Sequence, residues 1–98
     1  MRLAKTLSKM NKKEEAKEML PSWFEGEVYE IGDMVRNPYS GETCVLDAAE
    51  LSMYEAIKGA ELVMLMGVAK VDRCIDLIDR GKDWFIAKNP SAYMILLD

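Results

Sequence analysis

The chain has 98 residues, of which 50% are hydrophobic and 31% are charged, and its formal net charge is −4. This composition lies far from the low hydrophobicity and high net charge of disordered chains, so we expect one compact domain over residues 1–98. The sequence contains no histidine. Its composition therefore excludes histidine, the commonest general base and metal ligand, from any site.

Charge is distributed unevenly along the chain. Residues 1–17 carry six basic and two acidic side chains, a net +4, whereas residues 18–98 carry seven basic and 15 acidic side chains, a net −8. The N-terminal segment and the body should attract each other, within one molecule or between two. The alternative is a nucleic-acid-associated accessory protein whose basic segment contacts phosphates. The contacts would then come from five residues: Arg2, Lys5, Lys9, Lys12 and Lys13.

The first predicted element is an N-terminal helical segment over residues 1–20. Leu3, Leu7 and Met10 recur at helical spacing, and Pro21 ends the pattern. The segment is either one bent helix or two short helices. A β-hairpin is then predicted over residues 27–46, because short runs of β-forming residues flank the turn sequence NPYSGE. These flanking runs are residues 34–36 and 43–46, and Val28, Tyr29 and Ile31 form a further short strand candidate that is broken at Gly32.

A central helix is predicted over residues 47–66. Asp47 precedes Glu50 by three residues, which is the spacing of a capping box, and Gly67 is a natural stop. One face is wholly apolar and should meet the core: Met53, Ala56, Ile57, Ala60, Val63 and Met64. The opposite side carries charged residues: Glu50, Glu55, Lys58 and Glu61. Among them runs a second apolar stripe that needs a partner, either another part of the chain or another subunit: Leu51, Tyr54, Leu62 and Leu65.

An amphipathic helix is predicted over residues 71–88 and a short C-terminal helix over residues 90–97. Gly81 falls on the apolar face of the first of these, where it would permit a close helix approach, and Asn89-Pro90 supplies a cap for the second. The opposite face of the amphipathic helix carries four aspartates: Asp72, Asp76, Asp79 and Asp83. The predicted fold class is α+β, dominated by three to four helices with one small antiparallel hairpin.

No residue is assigned a catalytic, cofactor-binding or metal-binding role. The helical aspartates could serve a metal-dependent enzyme, but Arg73, Arg80 and Lys82 are interspersed among them, which is typical of a solvated face. Cys44 and Cys74 have no histidine partner and no CxxC spacing, and we interpret them as small hydrophobic residues. With no signal peptide and no apolar span, the sequence predicts a cytoplasmic protein that does not enter a membrane.

Three aromatic residues outside the helices have two interpretations each. Trp23 and Phe24 directly follow a helix stop, which favours anchoring onto the core over an exposed recognition patch. Tyr39 occupies the hairpin turn, where it could be displayed for recognition or could fold back over the sheet. The second alternative is favoured for Tyr39, because aromatic residues at turns often pack locally.

Two tracts, at residues 35–61 and 83–98, resemble known sequences. They read VRNPYSGETCVLDAAELSMYEAIKGAE and DWFIAKNPSAYMILLD. Both resemble small uncharacterised accessory proteins of tailed phages, especially phages of marine bacteria, and the match covers most of residues 27–98. The resemblance implies a viral origin and an accessory role in the host cytoplasm, and it transfers no activity. The favoured function is a non-enzymatic protein–protein interaction module with an unidentified protein partner or, more simply, a homo-oligomer, of which a dimer is the simplest form.

Overall fold

A computed structural model describes residues 11–67 and 71–98, which form four helices and one two-stranded antiparallel sheet. The predicted fold class, helix-dominated α+β, is confirmed. In chain order the elements are α1 (Lys12–Met19), β1 (Asp33–Arg36), β2 (Thr43–Leu46), α2 (Ala48–Leu65), α3 (Val71–Lys88) and α4 (Pro90–Leu96).

The central helix α2 begins at the predicted capping box. Asp47 Oδ1 accepts a hydrogen bond from the Glu50 backbone N–H at 2.8 Å, and Glu50 Oε1 accepts one from the Asp47 backbone N–H at 2.9 Å. Each side chain thereby satisfies a backbone donor that has no partner inside the helix. The helix ends at Leu65, and Gly67 follows with a φ of 70°, a conformation that glycine adopts without a steric penalty.

Helices α2 and α3 pack on each other around a core that is centred on Phe85. Phe85, Met53 and Ile57 are fully buried. A Cβ atom at Gly81 would lie 2.8 Å from two side-chain carbons of Ile57, so glycine lets the two helices approach closely. The helix runs through Gly81 from residue 71 to residue 88, with the bounds that its sequence predicts. The core contains Leu20, Leu46, Ala49, Met53, Tyr54, Ile57, Phe85, Ala92, Leu96 and Leu97.

The β-hairpin contacts α4 and α2 through one face. Val35 and Cys44 are partners across the two strands and are half-buried, whereas the next pair, Met34 and Val45, is exposed on the other face. Strand periodicity explains this alternation. The turn is tied to α4, because Asn37 Nδ2 donates a hydrogen bond to the Ile95 carbonyl oxygen at 2.8 Å.

The segment at residues 27–32 is not part of the sheet, so the predicted strand at Val28–Ile31 is wrong. The Tyr29 backbone N–H donates to Ser52 Oγ at 2.9 Å, and the buried Ser52 hydroxyl in turn donates to the Ala48 carbonyl oxygen at 2.7 Å. The segment therefore satisfies a backbone donor on the side of α2 instead of on a neighbouring strand. Val28 packs against the core whereas Ile31 is 73% exposed, so the alternating pattern here does not correspond to a strand with one buried face.

Helix α1 begins after an N-cap at Asn11. Asn11 Oδ1 accepts a hydrogen bond from the Lys13 backbone N–H at 2.7 Å, and Pro21 follows soon after the helix ends. Trp23 and Phe24 pack against the core while remaining partly exposed, in line with their interpretation as anchors. The rest of the predicted N-terminal helical segment, residues 1–10, lies outside the described residues.

Candidate functional site

The second apolar stripe of α2 is divided between the core and the surface. Tyr54 is buried and Leu51 is half-buried against the core, so little of either side chain is exposed for contact with another subunit, and their assignment to self-association stays a prediction. Leu62 and Leu65, in the last turns of the helix, are 56% and 84% exposed. The hairpin directly precedes the start of α2, and α4 follows the end of α3, where Asn89 donates a hydrogen bond to Glu50 at the start of α2, so this end of the helix is the covered one.

Exposed apolar side chains gather where α2 ends and α3 begins. Leu62, Leu65, Met66, Val71 and Ile75 are all large, apolar and at least 43% exposed, and we name this set the apolar end. Isolated apolar residues on a surface are ordinary, but five of them at one end of a helical hairpin are typical of an interaction site. The sequence indicated only two of the five, because Met66, Val71 and Ile75 do not belong to the stripe of α2.

Among the described residues, the charges that border the apolar end balance one another. Lys58 and Glu61 form an ion pair at 3.2 Å on the last turns of α2, with both side chains 37% exposed. Asp72 and Arg73, in the first turn of α3, carry opposite charges and are exposed. An exposed pair contributes little stability. The balance has a consequence for association, because a surface with no net charge does not repel a copy of itself.

A groove runs between α2 and the first half of α3. It has a volume of about 690 Å³, and four small or apolar residues of α2 contribute to it: Ala56, Gly59, Ala60 and Val63. Cys74 and Leu77 line it from α3, and Trp23 contributes to one wall. The guanidinium of Arg80 lies 5.8 Å from the centre of the Trp23 ring and pairs with Asp76 at 3.3 Å. We name this cavity the α2–α3 groove.

A polar junction joins the start of α2, the end of α3 and the start of α4. Glu50 Oε2 accepts a hydrogen bond from Asn89 Nδ2 at 3.1 Å and lies 3.7 Å from the Lys88 ammonium, which also donates to Asp47 Oδ2 at 3.2 Å. Asn89 Oδ1 accepts from the Ala92 backbone N–H at 3.2 Å, capping α4. Glu50 is only 6% exposed, so the charged side of α2 is covered at this residue.

The potentially reactive side chains of the described residues do not converge. Within residues 11–67 and 71–98, no three carboxylate or thiol side chains form a set that could hold a metal ion. The four aspartates of α3 are all exposed. Cys44 and Cys74 are free thiols, and burial together with the Glu50 carboxylate raises the pKa of Cys44. A raised pKa lowers the fraction of thiolate at neutral pH and makes Cys44 a poor nucleophile.

The remaining sequence candidates lie at separate places on the surface. Tyr39 is 95% exposed at the hairpin turn, so the favoured interpretation that it folds back over the sheet is wrong. Lys12 and Lys13 are exposed in α1, but the helix also carries the exposed Glu14, Glu15 and Glu18, so its three lysines are matched by three glutamates. The other residues of the nucleic-acid alternative are Arg2, Lys5 and Lys9, which lie outside the described residues.

The chain matches no protein-family model, and it has no significant similarity to a curated protein or to a solved structure. The resemblance to phage accessory proteins therefore stays a prediction. Across the described residues, every helix is too short or too polar to cross a lipid bilayer.

Proposed function

We propose that the protein is a non-enzymatic interaction module that forms a homodimer through its apolar end. The observation that carries this proposal is the exposure of five large apolar side chains at one end of the α2–α3 hairpin. Water contact with such side chains is unfavourable by roughly 25 cal/mol per Å², so covering them drives association. Among the described residues the carboxylates and thiols are scattered. They form no assembled set of reactive groups that would support the enzymatic alternative.

A second copy of the chain suits this surface better than a charged partner does. In a two-fold dimer the same patch meets itself, so any net charge on it would face a like charge. Lys58 is paired with Glu61, and Asp72 is next to Arg73, which leaves the border of the apolar end neutral. A stable dimer covers about 800 Å² on each partner, so the apolar end would be the centre of an interface that extends onto α2 and α3.

We also place this module in a reducing cytoplasm. Cys44 and Cys74 are both unpaired and neither is fully buried. Free thiols of this kind persist in a reducing compartment, whereas an oxidising one favours disulfides. The resemblance to phage accessory proteins would make this the cytoplasm of a bacterial host.

The substitution Leu65→Glu tests the dimer. It should weaken dimerisation about a hundredfold or more, because two buried leucines are lost at about 1.5 kcal/mol or more each and two like charges approach. The side chain is mostly exposed in the monomer, so folding should be unchanged. Sedimentation equilibrium at micromolar concentration measures the result: a dimer for the parent chain and a monomer for the variant.

Met94→Glu is the matched control. Met94 is also an exposed apolar residue on a helix, but it lies in α4, beyond the end of α3 that is remote from the apolar end. This variant should remain a dimer. A parent chain that is monomeric throughout the micromolar range, or a Leu65→Glu variant that dimerises as strongly as the parent, contradicts the proposed function.

A further inference from the structure

We propose that residues 1–10 of the chain bind in the α2–α3 groove of the same molecule. The groove and this segment match in three respects: apolar pattern, position along the chain, and charge. The proposal concerns the groove and not the apolar end, and since Asp72 and Arg73 border both surfaces, the two proposals are tested separately. It assigns the basic N-terminal segment to the body of its own chain in place of nucleic acid.

The apolar character of the groove suits an apolar helical or extended segment. Its α2 side consists of small side chains and Val63, and its α3 side includes Cys74 and Leu77. A Cβ atom added at Gly59 would have no neighbouring atom within 4 Å, so this side of α2 is open among the described residues. A cleft of several hundred Å³ with apolar walls holds a few large side chains, and burial of each contributes about 1.5–3 kcal/mol.

The N-terminal sequence offers such side chains in a regular pattern. Leu3, Leu7 and Met10 are separated by four and three residues, the spacing that places side chains on one face of a helix. Arg2 precedes this set, and Lys5 and Lys9 fall between its members. The spacing predicts one apolar side and three basic residues outside it, which is the pattern of a segment that binds a groove with a charged border.

The described chain begins close to the α2–α3 groove. Asn11 is the first described residue, and it lines a second cavity, of about 740 Å³, near the start of α1. Glu25 and Gly26 line both this cavity and the α2–α3 groove, so the two are neighbours that share a wall. Ten residues reach at most about 36 Å when extended and about 15 Å as a helix. Either length is enough to cross a shared wall.

Charge favours the same placement. Glu25, Asp72 and Asp76 are acidic residues of the groove, and Arg73 and Arg80 are its basic residues. Arg80 is engaged by Asp76 and by the Trp23 ring. Glu25 and Asp72 form no ion pair with any other residue in the two described ranges, and three basic side chains in the segment could approach them. Exposed ion pairs contribute about 0.2–1 kcal/mol each to stability. The charges therefore orient the segment, and burial of its apolar side chains supplies most of the binding free energy.

A disulfide trap tests the proposal, because Cys74 already lines the groove. In a Cys44→Ser background, the substitution Leu7→Cys places a second thiol on the apolar side of the segment. The added oxidant diamide accepts the two thiol hydrogens when the introduced cysteine and Cys74 form a disulfide bond. The bond should form within one chain, at a rate independent of protein concentration and about tenfold or more above that of the control, because docking raises the effective concentration of one thiol near the other.

The matched control is Ser8→Cys, which places the thiol one residue further along and on a different side of the pattern. Mass spectrometry after proteolysis identifies the bond. Equal rates for the two variants overturn the proposal, and so does a bond that joins only two different chains. Repeating the trap in the Leu65→Glu variant separates the two hypotheses: an intrachain bond in a monomer supports groove binding even where dimerisation fails.

A second measurement uses the full chain without an added thiol. In the Cys44→Ser background, the double substitution Leu3→Ser and Leu7→Ser should make Cys74 react several-fold faster with a thiol reagent, because the groove is no longer covered. The control Thr6→Ser removes only a methyl group from a residue between them. Unchanged reactivity of Cys74 in the double variant contradicts the proposal.

Discussion

Gly32→Ala is expected to destabilise the protein by about 3 kcal/mol or more. A Cβ atom at this position would overlap the Leu46 carbonyl oxygen and would lie 2.7 Å from the Asp47 Cα atom. These neighbours are backbone atoms, so no side-chain rotation can relieve the overlap. The strand β2 or the segment at residues 27–32 would have to move, and Asp47 is also the N-cap of α2. Urea denaturation, followed by circular dichroism, measures the change.

Gly59→Ala is the control for the same chemical change. Nothing among the described residues lies within 4 Å of its Cβ position, and it lies inside α2. Alanine is favoured over glycine in a helix by about 1 kcal/mol, so this variant should be as stable as the parent or slightly more stable. If Gly32→Ala and Gly59→Ala had the same free energy of unfolding, the close approach at Gly32 would be refuted.

Glu50→Ala is expected to lower the free energy of unfolding by about 3 kcal/mol. Its carboxylate is buried and accepts hydrogen bonds from the Asp47 backbone N–H and from Asn89 Nδ2, and it lies 3.7 Å from the Lys88 ammonium. Alanine would leave these donors without their acceptor. Lys88 retains Asp47 as a partner, which keeps the loss below that of an isolated buried charge. Thermal denaturation should show a midpoint lower by roughly 15 °C.

Glu55→Ala is the matched control, because it makes the same substitution on the same helix at an exposed position. Its effect should stay within about 0.5 kcal/mol, as is usual for surface residues. Glu50→Gln should fall between the two, since an amide oxygen can still accept from the Asp47 N–H while the charge is lost. Equal stability of the Glu50→Ala and Glu55→Ala variants would show that the junction does not stabilise the fold.

Local signals predicted much of this fold from the sequence. The capping box of α2 and the uninterrupted course of α3 through Gly81 both follow from spacing within a few turns of helix. The turn of the hairpin follows from NPYSGE, in which Gly41 has the positive φ that the motif requires. In each case the residues that determine the structure are neighbours in the chain, so a pattern in the sequence is sufficient.

The sequence was misleading where distant segments meet. Glu50 was predicted only to lie on the charged side of α2, yet Lys88 and Asn89 approach it from 38 or more residues away. Tyr54 was predicted in a stripe that needs a partner, and the core of the same chain covers it, while the extended segment at Tyr29 was predicted as a strand. Periodicity gives the face on which a residue lies, but it does not reveal which other element covers that face. The apolar end was likewise indicated only by its α2 residues.

The polar junction and the apolar end occupy opposite ends of the α2–α3 hairpin. Each helix has 18 residues, so the two ends are about 27 Å apart. Substitutions that far apart and without shared partners usually add in free energy. Stability and assembly should therefore be separable properties of this chain. Substitutions in the polar junction should change the free energy of unfolding of the monomer, and substitutions in the apolar end should change the dissociation constant of the dimer.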